Sequence, residues 1–326
     1  MNYFRVFALA VLTLVAAHAQ APAPSAGDLS WAFPVPDKTP PPSEENGMPK
    51  RLPGSTKAYT QQQIDDQFAP PDWFPDQHPA PPQVVLKGMR PGVQACGSCH
   101  LMSGLGHPES GNLAGLQPEY FLRQMADFKS GARKDPPEYT ASARAARMNG
   151  IAKAISEQDA REAAEWFASL KPEVYYKVVE ADTVPKSWVN GGRMRLPLPS
   201  GGTEPLGHRI ITMPQDAVRV ELRDPHSGFI AYVPKGSLKK GEALVNTNSL
   251  SGKTLNCAIC HGEGLKGLGD VPRIAGLHPI YIVLQLYNFK TGASNGASGA
   301  LMKRVVANLT EDDMIAIAAY VAAQAP

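Results

Sequence analysis

The sequence predicts a mainly α-helical protein with two similar halves, preceded by an extended arm and separated by a short β-rich segment. Three observations support this: a long internal repeat, helix-capping signals at matching places in both copies, and an uneven distribution of proline. Of the 31 Pro residues, 16 lie between positions 21 and 91. A stretch so dense in proline cannot be mostly helix or central strand, so we expect an extended arm there.

Length and charge exclude several classes of protein. The chain has 326 residues, of which 43% are hydrophobic, and this is enough for about two ordinary domains. Its formal net charge of +2 is far from that of a strongly basic nucleic-acid binder or an acidic disordered chain. We therefore expect globular domains that do not bind nucleic acid.

The N-terminus has the pattern of a secretory signal peptide over residues 1–19. Arg5 precedes an apolar run from Val6 to Ala17, and Ala17-His18-Ala19 is a small-x-small cleavage site. The run is shorter than the roughly 20 apolar residues that cross a bilayer, and no later segment qualifies. We expect an exported, periplasmic protein that begins near Gln20 and has no transmembrane segment after signal removal.

The four cysteines form two Cys-x-x-Cys pairs, each followed directly by histidine: Cys96, Cys99 and His100, then Cys257, Cys260 and His261. Cys-x-x-Cys-His is the attachment signature of c-type haem, in which the two thiols add to the porphyrin vinyl groups and the histidine binds the iron. Two disulfides are an alternative in an exported protein. Zinc and a redox-active Cys-x-x-Cys are others, although the pairs lie too far apart for a zinc ribbon. The sequence predicts two covalently bound haem c groups.

The repeat extends well beyond the cysteines. At a constant offset, Ala-Gly-Leu, Pro-x-Tyr, a glutamine and Phe-Lys-x-Gly-Ala recur in both copies, from Ala114 to Ala132 and from Ala275 to Ala293. Pro118 and Pro279 are typical of a helix start, and Gly131 and Gly292 of a helix end. Each copy is therefore predicted to have a helix of about three turns after the haem-binding turn.

A methionine recurs in each copy just before the last predicted helix. Met148 and Met302 each lie seven residues before an apolar residue that a capping-box pattern follows. These patterns predict the last helices, Ser156–Leu170 and Thr310–Ala323. We predict Met148 and Met302 as the sixth iron ligands. Other methionines (Met102, Met125, Met314) have no counterpart and suit core packing. Ligation of one haem by two histidines is the alternative, with candidates His78, His107, His208, His226 and His278.

The chain resembles a class I c-type cytochrome duplicated in tandem, similar to the dihaem electron carriers of bacterial periplasms. The resemblance rests on these motifs and covers about 92–171 and 236–326. It implies a helical fold around each haem, His/Met-ligated iron and no substrate pocket. It also implies that a prolyl carbonyl holds the ligand imidazole. Pro272 suits this role, but Gly111 stands at the matching place, so the first haem is expected to be held differently.

Two regions do not belong to the resemblance. Residues 20–91 are the predicted Pro-rich arm, with aromatic anchors at Trp31, Phe33, Trp73 and Phe74. Residues 172–235 are a predicted β-rich connection, in which Val218–Arg223 and Gly228–Val233, together with Arg209–Thr212, form a small antiparallel hairpin or sheet. This leaves residues 92–171 as cytochrome domain 1 and 236–326 as cytochrome domain 2.

These features predict an electron carrier rather than an enzyme. It would take single electrons from a donor dehydrogenase or a quinol-oxidising complex and pass them to an oxidase or another cytochrome. A dihaem, peroxidase-like enzyme is the first alternative, since His107 and Glu109 lie near one haem motif and could act as acid and base. An electron-transfer subunit of a larger periplasmic oxidoreductase complex is the second.

Overall fold

The computed structural model of the chain describes residues 27–41, 47–247 and 252–326, so the predicted signal peptide lies outside the described residues. Twelve α-helices occur in these ranges: α1 Gln61–Ile64, α2 Gln83–Leu86, α3 Gly97–His100, α4 Pro118–Ser130, α5 Arg144–Ala154, α6 Glu157–Ser169, α7 Ala217–Glu221, α8 Ser237–Val245, α9 Ala258–His261, α10 Pro279–Thr291, α11 Gly299–Val306 and α12 Glu311–Ala322. None of the described helices has the length and apolarity needed to cross a membrane.

Seven short strands occur in the described ranges, all between residues 176 and 233: β1 Tyr176–Glu180, β2 Thr183–Pro185, β3 Ser187–Val189, β4 Arg195–Pro197, β5 Thr203–Pro205, β6 Ile211–Pro214 and β7 Phe229–Val233. β7 is the central strand of a three-stranded sheet, parallel to β1 and antiparallel to β6. β2 pairs with β5 and β3 with β4, both antiparallel. The β-rich part of the chain is thus one mixed sheet and two small ladders.

The long helices begin and end where the capping signals predict. Pro118 opens α4 and Pro279 opens α10. Gly131 and Gly292 follow these helices in the left-handed conformation, at φ of 78° and 79°, which glycine adopts without strain. The N-caps of α6 and α12 are Ser156 and Thr310, each accepting a hydrogen bond from a backbone N–H three residues later. Local sequence therefore determines the helix boundaries in both copies.

The first and last helices of the second domain cross at very close range. A Cβ placed on Gly241 of α8 would lie 2.0 Å from the carbonyl oxygen of Ala316 in α12. Only a residue without a side chain permits this backbone approach. In the first domain the short helix α2 precedes the haem motif instead, with Val84 and Val85 fully buried.

One predicted strand is wrong. The alternation in Val218–Arg223 predicts a strand, but the chain forms the short helix α7 there. The side chain of Asp216 caps this helix by accepting a hydrogen bond from Arg219 N at 3.0 Å. Val220 and Leu222 are buried. A short helix can bury the apolar residues of this segment as well as a strand can. The alternation alone therefore does not distinguish the two structures. The partner of β7 is instead β6, together with β1 on its other side.

The arm packs against the rest of the chain. Leu29, Trp31 and Phe33 are buried in the core of the second domain. The ring of Phe33 stacks on Tyr139 with centroids 4.3 Å apart. Further along, Trp73 is buried, and its indole N–H donates a hydrogen bond to the carbonyl oxygen of Leu222 at 2.7 Å. These aromatic side chains hold the described part of the proline-rich segment against the folded domains.

Equivalent turns of the two domains meet at their boundary. The turns that follow α4 and α10 pair in an antiparallel bridge at Arg133 and Ser294. Two backbone hydrogen bonds hold the bridge, from Asn295 N to Ala132 O at 2.7 Å and from Lys134 N to Ala293 O at 2.9 Å. Since Ala132 and Ala293 are equivalent in the repeat, the domains join through the same feature of each copy.

Candidate cofactor site

A large cavity lies between the two domains. Its volume is about 1620 Å³, whereas ordinary small-ligand pockets measure about 300–1,000 Å³. All eight residues that the sequence singles out as haem-binding line it: Cys96, Cys99, His100, Met148, Cys257, Cys260, His261 and Met302. The two Cys-x-x-Cys-His motifs lie 161 residues apart in the sequence, and the fold brings both predicted haem-binding sets to the same cavity.

Both predicted iron-binding histidines are oriented in the same way. The Nδ1 atom of His100 lies 2.7 Å from the carbonyl oxygen of Gly111, and that of His261 lies 2.8 Å from the carbonyl oxygen of Pro272. A histidine whose Nδ1–H donates to a carbonyl leaves Nε2 available to bind a metal. The expectation that Gly111 changes how the first histidine is held is wrong, because a backbone carbonyl needs no proline ring. Burial lowers the pKa of both imidazoles, which favours the neutral form that binds a metal.

Two of the four cysteines, Cys96 and Cys257, lack the lowered pKa of redox-active thiols. All four are free in the structure. Burial raises the pKa of the Cys96 thiol to about 12 and that of Cys257 to about 11. Redox-active Cys-x-x-Cys motifs depend on a lowered thiol pKa. Cys96 and Cys257 therefore differ from the activated thiols of exchange centres.

The cavity-lining methionines include one that the repeat could not reveal. Met148 and Met302 lie on helices α5 and α11. Met125 also lines the first-domain part of the cavity, and so does Met194, which directly precedes β4 in the connecting segment. Met194 has no counterpart in the second copy, and only its tertiary placement shows that it lies here. Met102 and Met314 are buried outside the cavity lining, in keeping with core packing.

Among the described histidines outside the two motifs, only His107 lines the cavity. Burial lowers its pKa to about 3. His278 is buried, and its Nδ1 accepts a hydrogen bond from Ile280 N at the start of α10. The others have partners elsewhere: His78 with Asp72 at 3.1 Å, His208 with Asp312 at 3.0 Å and His226 with Gln77 at 2.7 Å.

The first-domain part of the cavity has a concentration of arginines: Arg133, Arg144, Arg147 and Arg193. The Nε and Nη1 atoms of Arg144 are buried and have no hydrogen-bond partner among the described residues. A guanidinium with two buried nitrogens that lack partners suits an anionic group that enters the cavity, such as the propionates of haem. Glu109 lies in the same region, and burial raises the pKa of its carboxyl to about 7. The lining thus fits haem in both its apolar and its charged parts.

Comparisons with known proteins agree with this geometry. Residues 238–325 match the cytochrome c family. Cytochrome c-554(547) of Halothiobacillus neapolitanus is 36% identical over 86 residues, which are 94% of that protein and 23% of this chain. The chain belongs to the c-type cytochromes.

Longer matches extend over both domains of this cytochrome. The thiosulfate dehydrogenase electron acceptor of Thiomonas intermedia is 26% identical over 237 residues, which are 72% of this chain and 80% of that protein. Cytochrome c4 of Azotobacter vinelandii is 25% identical over 230 residues, which are 69% of this chain and 82% of that protein.

This cytochrome is a dihaem class I electron-transfer protein with two covalently bound haem c groups. The disulfide and zinc alternatives for its cysteines are therefore wrong.

Proposed function

We propose that this cytochrome is a periplasmic electron carrier with two His/Met-ligated irons. Cys96 and Cys99 hold the first haem and Cys257 and Cys260 the second. The ligand pairs are His100 with Met148 and His261 with Met302. The observation that carries this proposal is the convergence of all eight side chains on one cavity, with both imidazoles oriented by backbone carbonyls.

The residues of the chain set the conditions for electron exchange. Haem c, when bound, supplies a one-electron iron couple. A methionine thioether favours the ferrous state and raises the reduction potential, and an apolar surrounding acts in the same direction. The carbonyls of Gly111 and Pro272 hold the imidazoles in one orientation, so the ligands stay in place when the iron changes its oxidation state. No substrate site is needed for this role.

The proposal includes the domain organisation. A signal peptide (1–19) directs export, and residues 20–91 are an extended arm whose described part packs on the folded domains. The β-rich connection (172–235) spaces cytochrome domains 92–171 and 236–326. Partners would be a donor dehydrogenase or a quinol-oxidising complex, and an acceptor oxidase or another cytochrome. A relative named as an electron acceptor of thiosulfate dehydrogenase supports a dehydrogenase as donor. N-terminal sequencing of the periplasmic protein tests export, with Gln20 expected as the first residue.

Carbon monoxide binding tests the ligand assignment. The reduced holoprotein is titrated with carbon monoxide and then treated with peroxide, next to Met148→Ala, Met302→Ala and the control Met194→Ala. We expect the wild type and the control to bind no carbon monoxide, and each of the two ligand variants to open one haem. Carbon monoxide binding to half of the wild-type haems would contradict the assignment at one iron.

A peroxidase-like enzyme is the second candidate. Its support is the presence of His107 and Glu109 in the first-domain part of the cavity, where Glu109 has a pKa near neutrality and could exchange protons. Such an enzyme needs one open iron, so the same titration separates the two functions. A carrier that is a subunit of a larger oxidoreductase complex would instead co-purify with that complex.

A further inference from the structure

Four exposed apolar side chains gather around the second haem site. Leu255, Ile259, Leu268 and Leu301 are 44%, 66%, 59% and 69% exposed. Leu255, Ile259 and Leu301 line the mouth of the cavity, and Cys260 beside them is also exposed. Leu268 lies close to the backbone of Gly262, directly after the iron-binding His261. Single exposed apolar residues are ordinary on protein surfaces, whereas a group around one site marks a contact surface.

The haem-binding turn of the first domain is less exposed than that of the second, although Arg147, the counterpart of Leu301, is exposed. Ile259 corresponds to Ser98, which is 2% exposed, although both precede the second cysteine of their haem motif. Leu255 corresponds to Gln94, which is half-buried. Arg223 donates a hydrogen bond to the carbonyl oxygen of Ser98 and so attaches the end of the α7 region to the haem-binding turn. The same motif is therefore closed in one copy and open in the other.

The cover comes from the connecting segment. The β3–β4 hairpin brings Trp188, Met194 and Leu196 to the first-domain part of the cavity, and α7 brings Val220. Within residues 236–247 and 252–326, the second domain has no hairpin or helix that corresponds to this cover. Because the rate of electron tunnelling falls steeply with the thickness of intervening protein, this layer hinders exchange at the first haem and leaves it unhindered at the second.

Basic side chains accompany the patch along the chain. Lys266 and Arg304 are exposed, lie within three residues of Leu268 and Leu301, and have no ion pair among the described residues. Glu263 is the one acidic residue between His261 and Leu268, and it has no ion pair among the described residues. Arg304 lies three residues after Leu301 on α11, so the two share a face of the helix. An apolar centre with a basic rim is complementary to an apolar surface that is surrounded by carboxylates.

We propose that Leu255, Ile259, Leu268 and Leu301, called here the second-haem patch, form the sole docking surface for redox proteins. The partner has an apolar contact face rimmed by acidic residues. The β3–β4 hairpin and α7 close the first domain to direct exchange, so its electrons pass through the second. This inference rests on the proposed carrier function.

A surface of defined chemistry tests the patch without the natural partner. The holoprotein is adsorbed on gold that carries a mixed monolayer of methyl- and carboxylate-terminated thiols, and the adsorbed mass is measured with a quartz microbalance. The variants are Ile259→Glu, Leu301→Glu and both together. The control is Val174→Glu, because Val174 is 72% exposed and lies in the connecting segment. We expect the double variant to bind about tenfold more weakly, since charge is placed in an apolar contact, and the control to bind like the wild type. Binding of the wild type should weaken as salt is added.

Several results would overturn the inference. One is a double variant that adsorbs like the wild type, which would place a second surface elsewhere. Another is an equal loss in the control. Sedimentation that shows a wild-type dimer and a monomeric Ile259→Glu would make the patch a contact between two copies of the chain. Reduction by dithionite and reoxidation by ferricyanide in solution test the carrier function separately, and the haem absorption in both states shows that each variant keeps its haems.

Discussion

Arg133 of the first domain donates a hydrogen bond from Nη2 to the hydroxyl oxygen of Tyr281 in the second domain, at 3.1 Å. The same atom also donates to Gln285 at 3.1 Å, and Nη1 donates to Gln124 at 2.7 Å. The guanidinium lies over the ring of Phe128, 4.5 Å from its centroid. One side chain thus links both domains at the wall of the cavity.

Arg133→Leu is expected to lower the free energy of unfolding by about 2 kcal/mol, because it removes three hydrogen bonds made by a half-buried charged group. The control is Arg123→Leu, which breaks the exposed pair with Asp270 across the same boundary. Exposed pairs contribute under about 1 kcal/mol. Guanidinium unfolding of the holoproteins measures both. Equal losses would show that burial of Arg133 adds nothing to the domain contact.

Gly241→Ala is expected to destabilise the second domain by several kcal/mol, on the order of 3, because the new methyl group overlaps the backbone of α12. Gly150→Ala is the matched control, since Gly150 also lies inside a helix and a Cβ there would meet nothing within 4 Å. That substitution should stabilise the protein by about 0.5–1 kcal/mol. Thermal unfolding measures whether each variant is less or more stable than the wild type. A Gly241→Ala protein as stable as the wild type would contradict the close crossing of α8 and α12.

Asp313 predicts a pH dependence of stability. Burial alone raises the pKa of this carboxyl, but hydrogen bonds from Lys240, Lys253 and Thr310 together hold it well below its ordinary value of 3.8. A lowered pKa in the folded state stabilises the protein above the unfolded-state value, and this contribution is lost as the pH falls through the folded-state value. The wild type should therefore lose stability below about pH 4.

Asp313→Asn is expected to cost about 2 kcal/mol at pH 7, since it leaves buried hydrogen bonds to charged groups unmade. The difference from the wild type should shrink as the pH falls below 4. Asp312→Asn is the control, because Asp312 pairs with His208 at the surface. Urea unfolding at pH 7 and at pH 3 measures the effect. A difference that stays constant between these pH values would contradict the lowered pKa.

Arg144 is expected to affect the reduction potential of only one of the two haems. Arg144→Leu removes a buried positive charge from the first-domain part of the cavity, and such a charge favours the less positive, ferrous iron. One reduction potential should fall by tens of millivolts, on the order of 50 mV, while the other stays nearly constant. Arg161→Leu, an exposed change on α6, should alter neither. Spectroelectrochemical titration measures both potentials, and equal shifts of both would contradict the placement.

The sequence alone was enough to predict the local features of this protein. Cys-x-x-Cys-His motifs, helix starts at Pro118 and Pro279, and ends at Gly131 and Gly292 depend on neighbouring residues, so a repeat in one chain is enough to find them. Two haem c groups and a helix-rich, class I fold were predicted in this way. Met148 and Met302 stay predictions as ligands, and what the structure adds is that both line the cavity.

Tertiary structure decided what depends on contacts between distant segments. The alternation in Val218–Arg223 fits one buried face in either a strand or a short helix, and packing of Leu222 on Trp73 selects the helix. The parallel pairing of β1 with β7 joins segments about 50 residues apart, which no local pattern records. The placement of Met194, the cover over Ser98 and the exposure of Ile259 follow from that packing. Equivalent positions of a repeat thus differ because burial is a property of the folded surroundings, not of the motif.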